Sequence, residues 1–217
     1  MSADQPTPST TASDPQSSWL LWAFAAFWMV CVVAGLAIVW AYDNTPGQAG
    51  HSPAQWPAES GLARAIDGPT LILFAHPQCA CTRASLGEFA EILARATRPP
   101  RTYVVFLKPI GFGLDWEKTD LWRTAAGLPG VRVIRDDEGV EAARFGVITS
   151  GQTVLYDETG ALVFSGGITG ARAHAGDNAG RASIVALLNQ GGTDVSLTSV
   201  FGCALFAEVN GEVWRRR

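Results

Sequence analysis

Hydrophobic and polar positions divide the chain into an unpatterned start, one long apolar run and a region of short alternating elements. Residues 1–18 are rich in Ser, Thr, Pro, Asp and Gln, show no apolar period and read as disordered. Trp19 to Tyr42 then runs 24 residues without a charge. As a helix this run spans about 36 Å, enough to cross a hydrocarbon core of about 30 Å. Trp19 and Trp22 at one end, with Trp40 and Tyr42 at the other, suit the two interfacial aromatic belts. A cleaved signal peptide would need a basic leader and a shorter apolar stretch. Here the first Lys or Arg is Arg64, so a retained transmembrane helix over 19–42 is expected. Cys31, inside it, reads as a small apolar residue.

Residues 43–55 are Pro-, Gly- and Ala-rich and read as a linker, and 56–68 as the approach to a folded domain on which Trp56 docks. Thr70 to Ala75 is a short apolar strand bounded by Gly68-Pro69 and Pro77. The period then changes. Leu86, Phe89, Ala90, Leu93 and Ala94 predict a helix over 82–96, stopped before Pro99-Pro100. A strand over 102–107, a helix over 115–127, a strand over 131–134 and a helix over 138–145 follow. Gln152–Tyr156 and Ala161–Phe164 alternate around the turn Asp157-Glu158-Thr159-Gly160 and predict a hairpin. Asn178 is placed to cap a closing helix over 179–189. The order predicts an α/β fold with a mixed sheet covered by helices on both faces, three layers in all. It occupies residues 56–206, and 207–217 form a C-terminal tail.

Composition narrows the functions. An apolar fraction of 47% supports a core without disulfide staples, and a net charge of −4 argues against nucleic acid as a partner. Arg215, Arg216 and Arg217 read as a solvated end. No strand-linked Gly-rich phosphate loop and no Ser/His/Asp order points to nucleotide or acyl chemistry. Trp116 and Trp122 read as core, Glu88 and Glu91 as a solvated helix face, and His51 as a solvated linker residue.

The sharp signal is His76-Pro77-Gln78-Cys79-Ala80-Cys81-Thr82-Arg83. Cys79 lies just before a helix N-terminus, where free N–H groups and the helix dipole stabilise a thiolate. His76 and Arg83 stand close enough in sequence to add positive charge. A thiolate attacks disulfides and a thiol barely does, so two cysteines here supply an attacking and a resolving sulfur. A bond between Cys79 and Cys81 would close a small ring of unrelaxed geometry and be labile. Cys203, far along the chain in a loop-like stretch, reads equally as a long-range resolving partner for Cys79 or as a buried thiol. His174, within the stretch 166–181, reads as a solvated turn residue or as a base, cation or metal ligand oriented by Asp177 or Arg181.

The stretch from Thr70 to Ala94 resembles the strand-loop-helix of the thioredoxin superfamily, with Cys79 in the attacking place. The stretch from Phe145 to Gly166 resembles the central hairpin of the membrane-anchored, periplasmic branch typified by TlpA and ResA. HPQCACTRASL (76–86), FGVITSG (145–151), GGITGARAHAGDNAGR (166–181) and VFGCALF (200–206) together are similar to bacterial RedB-like proteins of that fold. The resemblance implies a substrate-aligning loop at Thr149, Ser150 and Gly151. It also implies a single-pass protein of the inner (cytoplasmic) membrane, its soluble domain facing the periplasm or cell exterior. Two departures stand out. Thr82 occupies the place of the usual second cysteine, and Gly151 that of a cis-proline which in the superfamily aligns substrates and keeps metals off the sulfurs.

The expected activity is therefore that of a thiol–disulfide oxidoreductase, with peroxidase character in reach and no cofactor. Its partners would be protein or small-molecule disulfides or thiols, with an upstream membrane dithiol carrier. The alternative is a Cu- or Zn-handling protein using Cys79, Cys81 and Cys203 with His76 or His174, a soft ligand set. A redox-inactive assembly factor is the third reading.

Overall fold

The structure, a computed structural model of the chain, describes residues 15–48, 50–206, 208–209 and 212–213. Disorder is expected for 1–18; residues 1–14 and most of the C-terminal tail lie outside the described residues, and 15–18 are helical instead, the first turn of a helix that the apolar run continues. The chain forms two units, residues 1–42 and 43–217. In the first, helix α1 (Pro15–Asp43) begins four residues before the apolar run. Its side chains from Trp19 to Tyr42 are almost all exposed, and among the described residues it alone is long and apolar enough to cross a membrane.

In the second unit, β1 (Thr70–Ala75), β2 (Arg101–Lys108) and β3 (Val131–Asp137) are parallel, while β4 (Gln152–Tyr156) and β5 (Leu162–Gly167) are antiparallel. The sheet order is β3-β2-β1-β4-β5. Helices α2 (Ala80–Arg95), α3 (Asp120–Ala126), α4 (Val140–Arg144) and α5 (Ala179–Gln190) complete it, and a two-residue pair, β6 (Glu208–Val209) and β7 (Glu212–Val213), follows.

Every residue of β1 is buried, as a central strand covered on both faces must be. Its side chains alternate between two cores. Leu71, Leu73 and Ala75 meet Leu86, Phe89 and Ile92 of α2, Leu121 and Ala125 of α3, and Ile184 and Leu188 of α5. Ile72 and Phe74 face the other way, onto Tyr103, Phe145, Val154 and Tyr156, with Leu62 and Trp56 closing that side. Trp56 makes edge-on contacts with Phe145 and Tyr156, so it is the docking residue its sequence context implied.

Four further expectations are corrected. Residues 43–55 are no free linker. Gly47 N–H donates to the Val200 carbonyl at 2.8 Å, Tyr156 Oη to the Pro53 carbonyl at 2.9 Å, and Leu162 N–H to the Ala54 carbonyl at 2.9 Å. The segment is pinned because its backbone groups find partners on β4, β5 and the residues after α5. The helix expected over 115–127 is only Asp120–Ala126, because Asp115 takes φ 64° and Thr119 is extended. Strand β3 runs to Asp137, past the expected Ile134. There the Asp136 carboxylate accepts from the Glu141 and Ala142 N–H groups at 2.8 and 2.9 Å and starts α4. Burial pushes Asp136 up to about 6 against the pull of those two bonds.

Glu88 is the fourth. It is buried, not solvated, because Arg181 on α5 donates to it at 2.5 Å, and Gly176 N–H and Asn178 Nδ2 donate at 2.7 and 3.1 Å. Glu91 does lie outside, in an exposed pair with Arg95. The cap on α5 is as expected, Asn178 Oδ1 accepting from Arg181 N–H at 2.8 Å.

Candidate functional site

Strand β1 ends at Ala75, and the chain turns through His76, Pro77 and Gln78 to Cys79, the N-cap of α2. Three small polar groups hold the turn. His76 N–H donates to Ser150 Oγ at 2.8 Å, and Thr82 Oγ1 donates to the His76 carbonyl at 3.0 Å and lies 2.9 Å from Ser150 Oγ. Cys79 N–H closes on the His76 carbonyl at 3.2 Å. Thr82, fully buried, thus ties the cysteine turn to the loop before the hairpin.

That loop is Thr149-Ser150-Gly151. Gly151 stands at φ 91° and its N–H donates to the Phe74 carbonyl at 2.7 Å. A Cβ there would sit 3.1 Å from Ser85 Oγ in a backbone conformation that disfavours any side chain. No peptide bond among the described residues is cis.

The residues after α5 form a strap that returns to this loop. Ser165 N–H donates to the Ser196 carbonyl at 3.0 Å and Thr198 Oγ1 to the Gly167 carbonyl at 2.7 Å. The strap then runs antiparallel to the loop. Ser150 N–H donates to the Cys203 carbonyl at 2.8 Å, Leu205 N–H to the Ile148 carbonyl at 2.9 Å, and Thr149 bridges Ala204. Val200 and Leu205 are buried anchors on either side. Gly202 has no room for a side chain, since a Cβ would collide with the Ser150 carbonyl. Between the anchors, Cys203 brings its Sγ to 2.8 Å from Cys79 Sγ. The structure sets the Cys203 sulfur against Cys79, and as a residue Cys203 is exposed.

The electrostatics separate the three sulfurs. Burial alone would raise Cys79. The Cys203 thiol donating to its sulfur and the N–H groups of Thr82, Cys203 and Cys81 outweigh that cost and bring its pKa below the ordinary thiol value. Cys81 is raised, by burial first and then by the neighbouring Cys79 charge, against a hydrogen bond from Ala173 N–H and the Arg172 charge. Cys203 is pushed up to about 12 by burial of its sulfur and by holding its proton toward Cys79. The arrangement sets the sulfur with the lowered pKa against one thiol, with a second thiol beside it.

Other residues take different roles from those expected. His76 supplies no cation. Its Nδ1 accepts Gln78 N–H at 3.2 Å, its ring packs edge-on against Trp116 at 5.6 Å, and burial lowers its pKa, so it is neutral at pH 7. Arg83 is paired with Asp120 and exposed. His174 is exposed, and Asp177 and Arg181 pair with each other rather than with it. Trp122 packs on the core through Phe106, while Trp116 serves the cysteine turn. Among the described residues no three His, Cys, Asp or Glu side chains are grouped as a metal ion requires.

Arg172, outside the expected site, is the cation beside the sulfurs. Its Nη1 donates to the Gly202 carbonyl at 2.8 Å and its Nε to the Thr45 carbonyl at 3.1 Å. Its backbone N–H donates to the Asp43 carbonyl at 2.9 Å, so it joins strap, hairpin exit and the first residues of the second unit. Glu117, also unforeseen, is fully buried with neither carboxylate oxygen hydrogen-bonded, between Trp116 and the Thr119 hydroxyl that donates to the Pro77 carbonyl at 2.9 Å. No sequence signal marks Glu117, which stands among exposed turn residues.

No protein-family model matches the chain, and no curated protein matches it. Solved structures do. An uncharacterized conserved protein from Geobacillus kaustophilus is 14% identical, covers 76% of this chain and 93% of its own, and superposes with a TM-score of 0.54. A hypothetical protein from Sinorhizobium meliloti 1021 is 18% identical over 74% of this chain and 93% of its own, with a TM-score of 0.48. The pneumococcal exposed lipoprotein thioredoxin Etrx1 from Streptococcus pneumoniae TIGR4 is 19% identical over 57% of this chain and 84% of its own, with a TM-score of 0.39. At these identities the likeness is one of fold. The sheet order and the antiparallel hairpin beside β1 make this a thioredoxin-like α/β fold that carries its cysteine turn at the end of the central strand.

Proposed function

We propose that this chain is a membrane-anchored, extracytoplasmic thiol–disulfide oxidoreductase in which Cys79 attacks and Cys203 resolves. The contact between their sulfurs, 2.8 Å apart, carries the reading. A small side-chain rotation closes that separation to the roughly 2.05 Å of a disulfide. In the reduced chain the Cys79 thiolate attacks one sulfur of an external disulfide, forming a mixed disulfide and expelling one thiolate, which takes up a proton. The negative charge that held the Cys203 proton is then gone, and the Cys203 thiol ionises more readily. It attacks Cys79 Sγ, a second thiol leaves, and two electrons have passed from the protein to the substrate. An upstream membrane dithiol carrier restores the reduced pair. Cys81, hydrogen-bonded from Ala173 N–H, stands as a second thiol able to exchange with either partner.

The deciding experiment is differential alkylation with mass-spectrometric disulfide mapping of the full chain purified without reductant. The expected result is a reversible Cys79–Cys203 disulfide with Cys81 free. A Cys79–Cys81 bond with Cys203 free would assign the resolving role to Cys81. Three thiols that stay reduced against every oxidant and are alkylated only after chelation would replace the redox reading with metal handling by Cu or Zn.

A further inference from the structure

The strap does more than carry Cys203. Its residues 203–205 lie antiparallel to 148–150, making with that loop the hydrogen bonds that an added strand makes with an exposed backbone edge. The loop that the family resemblance implies to be substrate-aligning is already filled by the chain itself. Emptying it for another protein's strand means breaking the Ser150–Cys203 and Leu205–Ile148 bonds, releasing the Arg172 grip on the Gly202 carbonyl and exposing Val200 and Leu205.

Uncovering Cys79 for a small molecule requires far less. Cys79 is 2% exposed; its sulfur meets the Cys81 thiol, the N–H groups of Thr82, Cys81 and Cys203, and the side chain of Cys203, and of the two cysteines on it Cys203 is the exposed one. Rotation of that one side chain opens the thiolate while the strap backbone stays docked. A cavity of about 270 Å³ lined by Gly202, Ala204, Phe206, Arg172 and Thr149 offers no other route. Gly202, Ala204 and Phe206 alternate with Cys203 along the strap and so present the face opposite its sulfur.

We propose, building on the redox reading above, that the substrates are low-molecular-weight disulfides and that the docked strap excludes protein disulfides. Each turn of the reaction joins Cys79 Sγ to Cys203 Sγ, breaks one external S–S bond and leaves two small thiols, the two protons coming from the protein dithiol.

The test uses the reduced full chain in detergent micelles. It is mixed with bis(2-hydroxyethyl) disulfide in one series and with scrambled ribonuclease, an unfolded protein with accessible disulfides, in another. Formation of the Cys79–Cys203 bond is followed by quenched alkylation, and each rate is divided by that of free dithiothreitol with the same disulfide. The small disulfide is expected to be favoured by about a hundredfold, the weight of the three strap hydrogen bonds a protein strand must break. Gly202→Ala, which forces the strap off the Ser150 carbonyl, should raise the normalised rate with ribonuclease at least about tenfold, as loss of one or two of those bonds would. The Ser150 and Leu205 amides of the wild type should stay protected from hydrogen exchange while the small disulfide reacts. Equal normalised rates in the wild type, or loss of that protection during the small-disulfide reaction, overturn the strap's role and leave the redox pair standing. If neither disulfide oxidises the pair, the redox assignment itself has failed and the substrate proposal falls with it.

Discussion

The Cys79 pKa is lowered by hydrogen bonding, not by neighbouring positive charge. The two cations that sequence places close to it both withdraw: His76 is neutral through burial and Arg83 is spent on Asp120. What lowers Cys79 is a ring of donors, with the Cys203 thiol the strongest of them. The sign of a substitution follows. Cys203→Ala removes that donor and leaves the burial cost, so the Cys79 pKa rises and its thiolate fraction at neutral pH falls. The pH profile of Cys79 alkylation by iodoacetamide, measured with Cys81→Ser in the background of both proteins, should move to higher pH in the Cys203→Ala variant. An unmoved midpoint would mean that the backbone N–H groups suffice. Thr82 and Ser150 act one step back. They hold the turn that aims Cys79, and no hydrogen bond links either side chain to a sulfur.

Between elements, the decisive link is Glu88 on α2 with Arg181 on α5. The pair is buried, with side-chain exposures of 4% and 10%, and Glu88 also accepts from Gly176 and Asn178. It fixes the loop that delivers Ala173 N–H to Cys81 and Arg172 to the strap. Removing Glu88 leaves Arg181 with only its exposed partner Asp177 and strips the acceptor from Gly176 N–H and Asn178 Nδ2, at a cost of about 2–3 kcal/mol. Glu88→Ala should therefore lower unfolding stability by about that amount in urea titration. Because the same loop holds Cys81, it should also speed Cys81 alkylation in the folded state. The periodicity of α2 put Leu86, Phe89 and Leu93 on one side correctly, and in doing so assigned Glu88 to water. A binary pattern treats every carboxylate as solvated. The partner that makes this one a buried anchor lies on a helix 93 residues away.

For the whole molecule, one apolar helix precedes a folded unit whose proposed redox chemistry needs an oxidising or carrier-supplied compartment. The full chain is expected to stay with membranes through alkaline carbonate extraction, and externally added protease should degrade the 43–217 unit in intact spheroplasts. Protection from that protease would place the cysteines in the cytoplasm and remove the proposed carrier. Much of this was legible in the chain alone. The charge-free run, the apolar strand before His76, the hairpin from Gln152 and the Asn178 cap are local signals, because backbone propensity, turn chemistry and side-chain period act over a few residues. The placing of Cys79 at a helix start was local too, and so was the absence of a proline at Gly151. Tertiary structure alone decided the rest. Residues 43–55 looked like a linker because nothing near them in sequence takes up their backbone groups, and their partners, among them Tyr156, Leu162, Arg172 and Val200, lie more than a hundred positions later. Glu117 is buried by a turn whose own pattern is polar and exposed. Cys203 reads as a loop cysteine until the strap folds back 124 residues and lays its sulfur on Cys79. Contacts of that separation are set by how layers pack and chains cross. A linear pattern records which residues want to be buried, while their choice of partner is made only when the sheet, its helices and the returning strap close around one another.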